Sequence, residues 1–157
     1  GETLGHLGQS IYMRDIKKIT YGPPPKVDLI AERRNGDCVR SLVDDDLITA
    51  CHDLSDGGLL VGLAEMSIAS NIGAKINDLS GNTALLGWAY GEDQARYLVT
   101  TNDAHHIISR CADNGVQVTE LGKTGGINLS FVNESIAVAE LKEAYESWLP
   151  NYITTIN

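Results

Sequence analysis

Ala50-Cys51-His52-Asp53-Leu54-Ser55-Asp56-Gly57-Gly58-Leu59-Leu60 is the stretch on which the reading of this chain turns. Ahead of it, Leu47 to Cys51 is an apolar run that predicts a buried strand, and it stops at the mostly polar segment from His52 to Asp56. Two glycines follow. From Leu59 to Ala69 nearly every position is apolar, with Glu65 the lone charge, so a helix buried on most sides is expected. Strand, polar turn, glycine pair and helix start together aim backbone N–H groups and carboxylates at one small volume, which suits a phosphate, a metal ion, or both.

Helix capping is the plain alternative for this stretch. Ser55 or Asp56 would satisfy the first N–H groups, and an aspartate favours the positive helix end, at about 1 kcal/mol each. Capping accounts for one or two polar residues, but not for His52, Asp53, Ser55, Asp56, Gly57 and Gly58 together. A second candidate is Gly1-Glu2-Thr3-Leu4-Gly5-His6-Leu7-Gly8-Gln9-Ser10, where glycines opening a helix let backbone approach an anion. It has neither the Lys-Ser/Thr of a P-loop nor the dinucleotide spacing, and pattern alone favours an ordinary glycine-rich loop.

Toward the N-terminus, Ile11, Tyr12 and Ile16 suit a short helix, and Tyr21-Gly22-Pro23-Pro24-Pro25 must be loop. Asp28 can cap a helix carrying Leu29, Ile30, Val39, Leu42 and Val43, which local rules interrupt with a turn at Asn35-Gly36. Ala74 to Asn77, Leu85 to Tyr90 and Arg96 to Thr101 are strand candidates, and Asp78 to Asn82 a loop. Asp103 caps a helix running to about Asn114 and closed by Gly115. Val116 to Thr119 alternates as a strand, and Gly125-Gly126 before Ile127 to Phe131 reads as a hairpin. Val138, Leu141, Tyr145 and Trp148 form the apolar side of a last helix, ended by Pro150. The fold class expected is α+β, an α/β sandwich with a mixed sheet and helices packed on it.

The remaining lures are weak. His105 and His106 are adjacent, so on a helix they diverge by about 100° and chelate one ion poorly. Asp44-Asp45-Asp46 reads as a solvated loop. Cys38, Cys51 and Cys111 give neither a disulfide framework nor a zinc pattern, and read as reduced thiols of a cytoplasmic protein. The net charge of −9 argues against nucleic acid and anionic membranes as partners. No apolar run approaches the roughly 18 residues of a membrane span. At 157 residues a single domain is expected, over residues 1–157, and the start at Gly1-Glu2-Thr3 reads as a cut through a longer polypeptide.

Several stretches also carry a resemblance. They are the run Gly1 to Ser10, the stretch Asp28 to Asp37, His52 to Leu60 with Leu63-Ala64-Glu65-Met66, Gly91-Glu92-Asp93-Gln94-Ala95-Arg96-Tyr97, and Trp148-Leu149-Pro150. In this order the chain resembles the last domain of phosphoribosylformylglycinamidine synthases, synthetase subunit, small bacterial form. The Asp-Gly-Gly motif alone is shared across the aminoimidazole ribonucleotide synthetase-like superfamily. A selenophosphate or thiamine-phosphate enzyme of that superfamily is an alternative, against which the opening and closing runs argue.

The resemblance implies the C-terminal α+β domain of an ATP- and Mg2+-dependent ligase of purine biosynthesis. That family converts formylglycinamide ribonucleotide to formylglycinamidine ribonucleotide with glutamine-derived ammonia. It implies as partners the N-terminal domains of the same polypeptide, a glutaminase subunit and a small accessory subunit. The family's catalytic histidine lies in earlier domains, so no catalytic residue is expected here. The residues expected to face a nucleotide are His52, Asp53, Ser55, Asp56, Gly57, Gly58, Gly5, Gly8, Gln9 and Ser10, with Asp53 and Asp56 toward the metal. A structural domain with a vestigial nucleotide site is the competing expectation. The resemblance also implies one helix from Asp28 to about Asp44, overruling a turn at Asn35-Gly36.

Overall fold

The computed structural model describes residues 1–156. Its elements are a five-residue π-helix (Tyr12–Ile16), α1 (Leu29–Asp44), β1 (Ala50–Asp53), α2 (Gly58–Ser70), β2 (Ala74–Ile76), α3 (Leu85–Tyr90), β3 (Tyr97–Thr100), α4 (Ala104–Asp113), β4 (Gly122–Thr124), β5 (Asn128–Phe131), β6 (Glu134–Ala137) and α5 (Val138–Ile156). They fall into two compact units, residues 1–62 with 80–120, and 63–79 with the chain from Leu121 on.

In the first unit, Asp28 starts α1 by accepting the N–H groups of Ile30 and Ala31, each at 3.0 Å. The helix continues through Asn35-Gly36, against the local turn signal. Asn35 is buried and donates its side-chain amide to the Ala95 carbonyl at 2.9 Å, and Gly36 lets the Tyr97 hydroxyl come close. Tertiary contact thus outweighs two poor helix formers. Those bonds to Asp28, that of Ala31 foremost, hold its carboxyl below the usual carboxylate value. A depressed native value means the stabilisation is present above the ordinary carboxylate range and is lost as pH falls through the native value. The Tm gap between wild type and Asp28→Ala is therefore expected to shrink on acidification, as thermal melts from neutral to acid pH will show.

Cys38 and Leu42 of α1 meet Ile107 and Cys111 of α4 and Val116 in one buried cluster, with Leu47, Ile48 and Val118 against it. This explains two departures from the sequence reading. The strand expected at Leu47 to Cys51 begins only at Ala50, because Leu47 and Ile48 turn onto the cluster. It is also exposed rather than buried, since β1 pairs with β3 alone, antiparallel, in a two-stranded sheet. Val116 to Thr119 is not a strand; Val116 and Val118 pack on the cluster, which produces the same alternation without a ladder.

The Cys38 and Cys111 sulfurs lie 3.5 Å apart, and burial, then the bond to Cys38, pushes the Cys111 thiol up to about 12. Cys51 is exposed. Maleimide is expected to label one thiol in the native chain and three in denaturant; two fast native thiols would contradict this packing.

Leu85 to Tyr90 is a helix and not the strand expected. Gly87, Trp88 and Ala89 are buried while Leu85 and Leu86 are exposed, a face rather than an alternation. Short apolar runs do not separate the two by period.

The second unit holds a four-stranded mixed sheet in the order β4-β2-β5-β6. β2 pairs antiparallel with β4 and parallel with β5, and β5 pairs antiparallel with β6. The expected hairpin around Gly125-Gly126 is therefore absent: that glycine pair bonds to Gly73 and links strands on either side of β2. The actual hairpin is β5-β6, turning through Val132-Asn133, with Val132 at φ 56°. α5 starts at buried Val138 and runs past Pro150. Proline removes one N–H in an exposed stretch, and the stacked rings of Trp148 and Tyr152 (5.2 Å) span the position.

Candidate functional site

β1 carries His52 and Asp53 up to the turn, held in register by β3, with His52 opposite Leu98 and Asp53 opposite Tyr97. Leu54 then turns inward: its N–H donates to the Arg96 carbonyl at 2.9 Å and its side chain is buried. With Leu54 as the anchor, its polar neighbours are left outside. The Asp53 carboxylate is 76% exposed, and the His52 ring is largely covered, its Nδ1 3.9 Å from Asp53 Oδ1. Ser55 and Asp56 are exposed, whereas Gly57 and Gly58 are buried.

Neither Ser55 nor Asp56 caps α2, since no side-chain hydrogen bond of either occurs among the described residues. The group that meets the glycine turn is Glu92, whose Oε1 accepts the Gly57 N–H at 2.8 Å. The same oxygen accepts the Ile11 N–H at 2.8 Å. One carboxylate thus joins the two glycine-bearing stretches that the sequence singled out separately.

Its neighbour Asp93 organises the opening run. It is buried and accepts the N–H groups of Leu4 (3.0 Å), Gly5 (2.8 Å) and His6 (3.3 Å). Gly8 sits close to Pro23, Gln9 donates its side-chain amide to the Gly22 carbonyl at 2.8 Å, and Ser10 is fully buried, its hydroxyl accepting the Met13 N–H at 3.2 Å. Buried Arg96 closes the turn behind the carboxylates through the carbonyls of Gly91 and Asp93. Burial pulls its guanidinium below the usual value, against the pull of Asp93 and Glu92.

Glu92, Asp93 and Arg96 were given no role from the sequence, although an acidic pair beside a glycine, with a nearby arginine, was a signal to be had. The outward chemistry of the unit is a set of hard oxygen donors at this turn: Asp53, Ser55 and Asp56. Among the described residues no three His, Cys, Asp or Glu side chains converge as a metal cluster. Asp53 and Asp56 leave two exposed carboxylates at this corner, and magnesium is commonly held by one or two protein carboxylates together with substrate phosphates.

Fold and site together define an α+β domain that presents a carboxylate-bearing strand–turn–helix corner braced by internal carboxylates. Residues 2–130 match the family "AIR synthase related protein, C-terminal domain", and the chain belongs to that family. It is 51% identical over 158 residues to phosphoribosylformylglycinamidine synthase subunit PurL of Parvibaculum lavamentivorans, covering 98% of this chain and 21% of that protein. It is 47% identical over 160 residues to the same subunit of Rhodopseudomonas palustris (strain BisA53), covering 100% of this chain and 22% of that protein. The chain thus spans about a fifth of the length of these curated relatives.

Among solved structures, T. maritima PurL complexed with FGAR superposes with a TM-score of 0.68 at 19% identity, over 80% of this chain and 23% of that one. T. maritima PurL complexed with ATP gives 0.64 at 18%, over 87% and 24%. These two likenesses bear out the fold class, and the curated relatives bear out the resemblance read from the sequence.

Proposed function

We propose that this chain is one domain, over residues 1–157, of a cytoplasmic ATP-dependent carbon–nitrogen ligase, phosphoribosylformylglycinamidine synthase, of purine biosynthesis. The observation that carries the reading is 47–51% identity to PurL subunits over essentially the whole chain. The reaction would form formylglycinamidine ribonucleotide from formylglycinamide ribonucleotide and glutamine-derived ammonia. A magnesium ion, when bound, would neutralise charge on the nucleotide phosphates.

In this reading Asp53 and Asp56 hold part of the Mg2+ shell, and Ser55 and His52 face the nucleotide. Gly57 and Gly58 set the turn; Gly5, Gly8 and Gln9 form the adjoining wall, while Ser10, expected from the sequence to face the nucleotide, is fully buried and supports that wall from behind through the Met13 N–H. Other domains of the same polypeptide complete the site, and a glutaminase and a small accessory subunit are its protein partners. Structures of T. maritima PurL with ATP, AMPPCP and ADP, and of PurLQS from Thermotoga maritima, support nucleotide and subunit partners for that protein. No described helix is long and apolar enough to cross a membrane, and neither membrane nor nucleic acid enters the proposal.

This 157-residue chain alone is expected to give no formylglycinamidine ribonucleotide from substrate, Mg-ATP and ammonia. Turnover above background in that assay would contradict the division of the site between domains.

One observation favours a structural reading as the runner-up. The Gly57 N–H is already held by Glu92, so the motif also serves packing. If packing were all, Gly57→Ala in the longer parent would lower Tm and leave nucleotide affinity unchanged.

A further inference from the structure

The open side of the four-stranded sheet carries an alignment that the ligase reading does not use. Lys75 of β2 stands directly opposite Lys123 of β4, and Ser130 of β5 stands opposite Lys75 on the other side. Ser135 of β6 continues the row opposite Ser130, their hydroxyl oxygens 2.9 Å apart. Lys75 is exposed between buried Ala74 and Ile76, so the row lies on the face away from the apolar side chains.

Directly opposed residues have Cβ atoms about 4.5–5.5 Å apart, and like charges there are destabilising. A carboxylate between the two lysines would relieve this, and the chain has 21 acidic residues against 12 basic ones. Yet among the described residues neither lysine makes an ion pair or a side-chain hydrogen bond. Lys75 and Lys123 line an open surface concavity of about 370 Å³ together with Gly125, Gly126, Asn128 and Ser130. A Cβ at either glycine would meet nothing within 4 Å, so a ligand has room against the backbone. Such a volume is at the small end of metabolite pockets.

We propose that this concavity binds the phosphate group of a small molecule, with Lys75 and Lys123 on its oxygens and the Ser130 hydroxyl as a third donor. Either hydroxyl can donate in the Ser130–Ser135 bond, and a bound anion selects the arrangement in which Ser135 donates and the Ser130 proton goes to the ligand. The bound anion is the counter-charge that the opposed lysines lack. This site stands independently of the ligase reading.

The test is a titration of the full chain with inorganic phosphate at constant ionic strength, followed by amide NMR, with ribose 5-phosphate as a second arm. Saturable shifts are expected at Lys75, Lys123, Gly125, Gly126 and Ser130. Lys75→Ala and Lys123→Ala should each weaken binding roughly tenfold, as for a lost charge-assisted bond, and Lys26→Ala should not. Neither pair variant should lower Tm, because each relieves a repulsion. Tighter binding of ribose 5-phosphate identifies a sugar phosphate as the ligand; equal binding identifies free phosphate. Non-saturating shifts, unchanged affinity in both pair variants, or an equal loss in Lys26→Ala would overturn the proposal.

Discussion

Asp93→Ala is expected to destabilise the first unit by about 3–5 kcal/mol, because it strips the acceptor from three backbone N–H groups at once. Leu4, Gly5 and His6 all donate to this carboxylate, which is only 6% exposed, so water replaces it poorly. The Arg96 guanidinium, bonded to the Asp93 carbonyl, would also lose a nearby negative charge. The fall in Tm should be about 10 °C for a chain of this size. Asp93→Asn keeps one carbonyl oxygen and should lose less than half as much. Thermal melts of the two variants check both statements, and equal losses would mean that the charge, not the acceptor count, is what matters.

Gly58→Ala should cost nearly as much, about 3–4 kcal/mol, from two sources that add. Its backbone is left-handed, at φ 67°, which costs a residue with a Cβ about 1–2 kcal/mol. The new Cβ would also overlap the Gly91 carbonyl oxygen and lie 2.9 Å from the Tyr90 carbonyl carbon, so backbone and not a flexible side chain must yield. Because Gly91 adjoins Glu92, the displacement passes to the carboxylate that joins Gly57 and Ile11. Denaturant melts should show a lower midpoint, and the Gly57 and Ile11 amides should exchange faster than in the wild type.

How far these features were legible in the sequence depends on whether the deciding contact is local. Asp28 and Asp103 as caps, the helix from Leu59 and the strand near Tyr97 rest on neighbours in sequence, and all are found. Val116 to Thr119 was misread because burial on the cluster imposed an alternation that no ladder had set, and Leu85 to Tyr90 because a short apolar run fits a helix face as well as a strand. The hairpin error at Gly125-Gly126 has a longer-range cause: β2, about fifty residues earlier, inserts between the two strands. Of the candidate site, the exposed corner from Asp53 to Asp56 was visible, but Glu92 braces its glycine turn from 35 positions away and Asp93 holds Gly5 of the opening run from 88 positions away. Such pairings have no local signal.

In the proposed synthase the Asp53–Asp56 corner supplies part of a Mg-nucleotide site completed by the rest of a longer polypeptide. The most direct test is calorimetric titration of Mg-ATP into that parent synthase and into its Asp56→Asn variant. Loss of one carboxylate from the magnesium shell should weaken Mg-ATP by about tenfold or more at unchanged Tm, the size of a charge-assisted contact. Equal affinity in the two proteins would contradict the claim and remove Asp56 from the site.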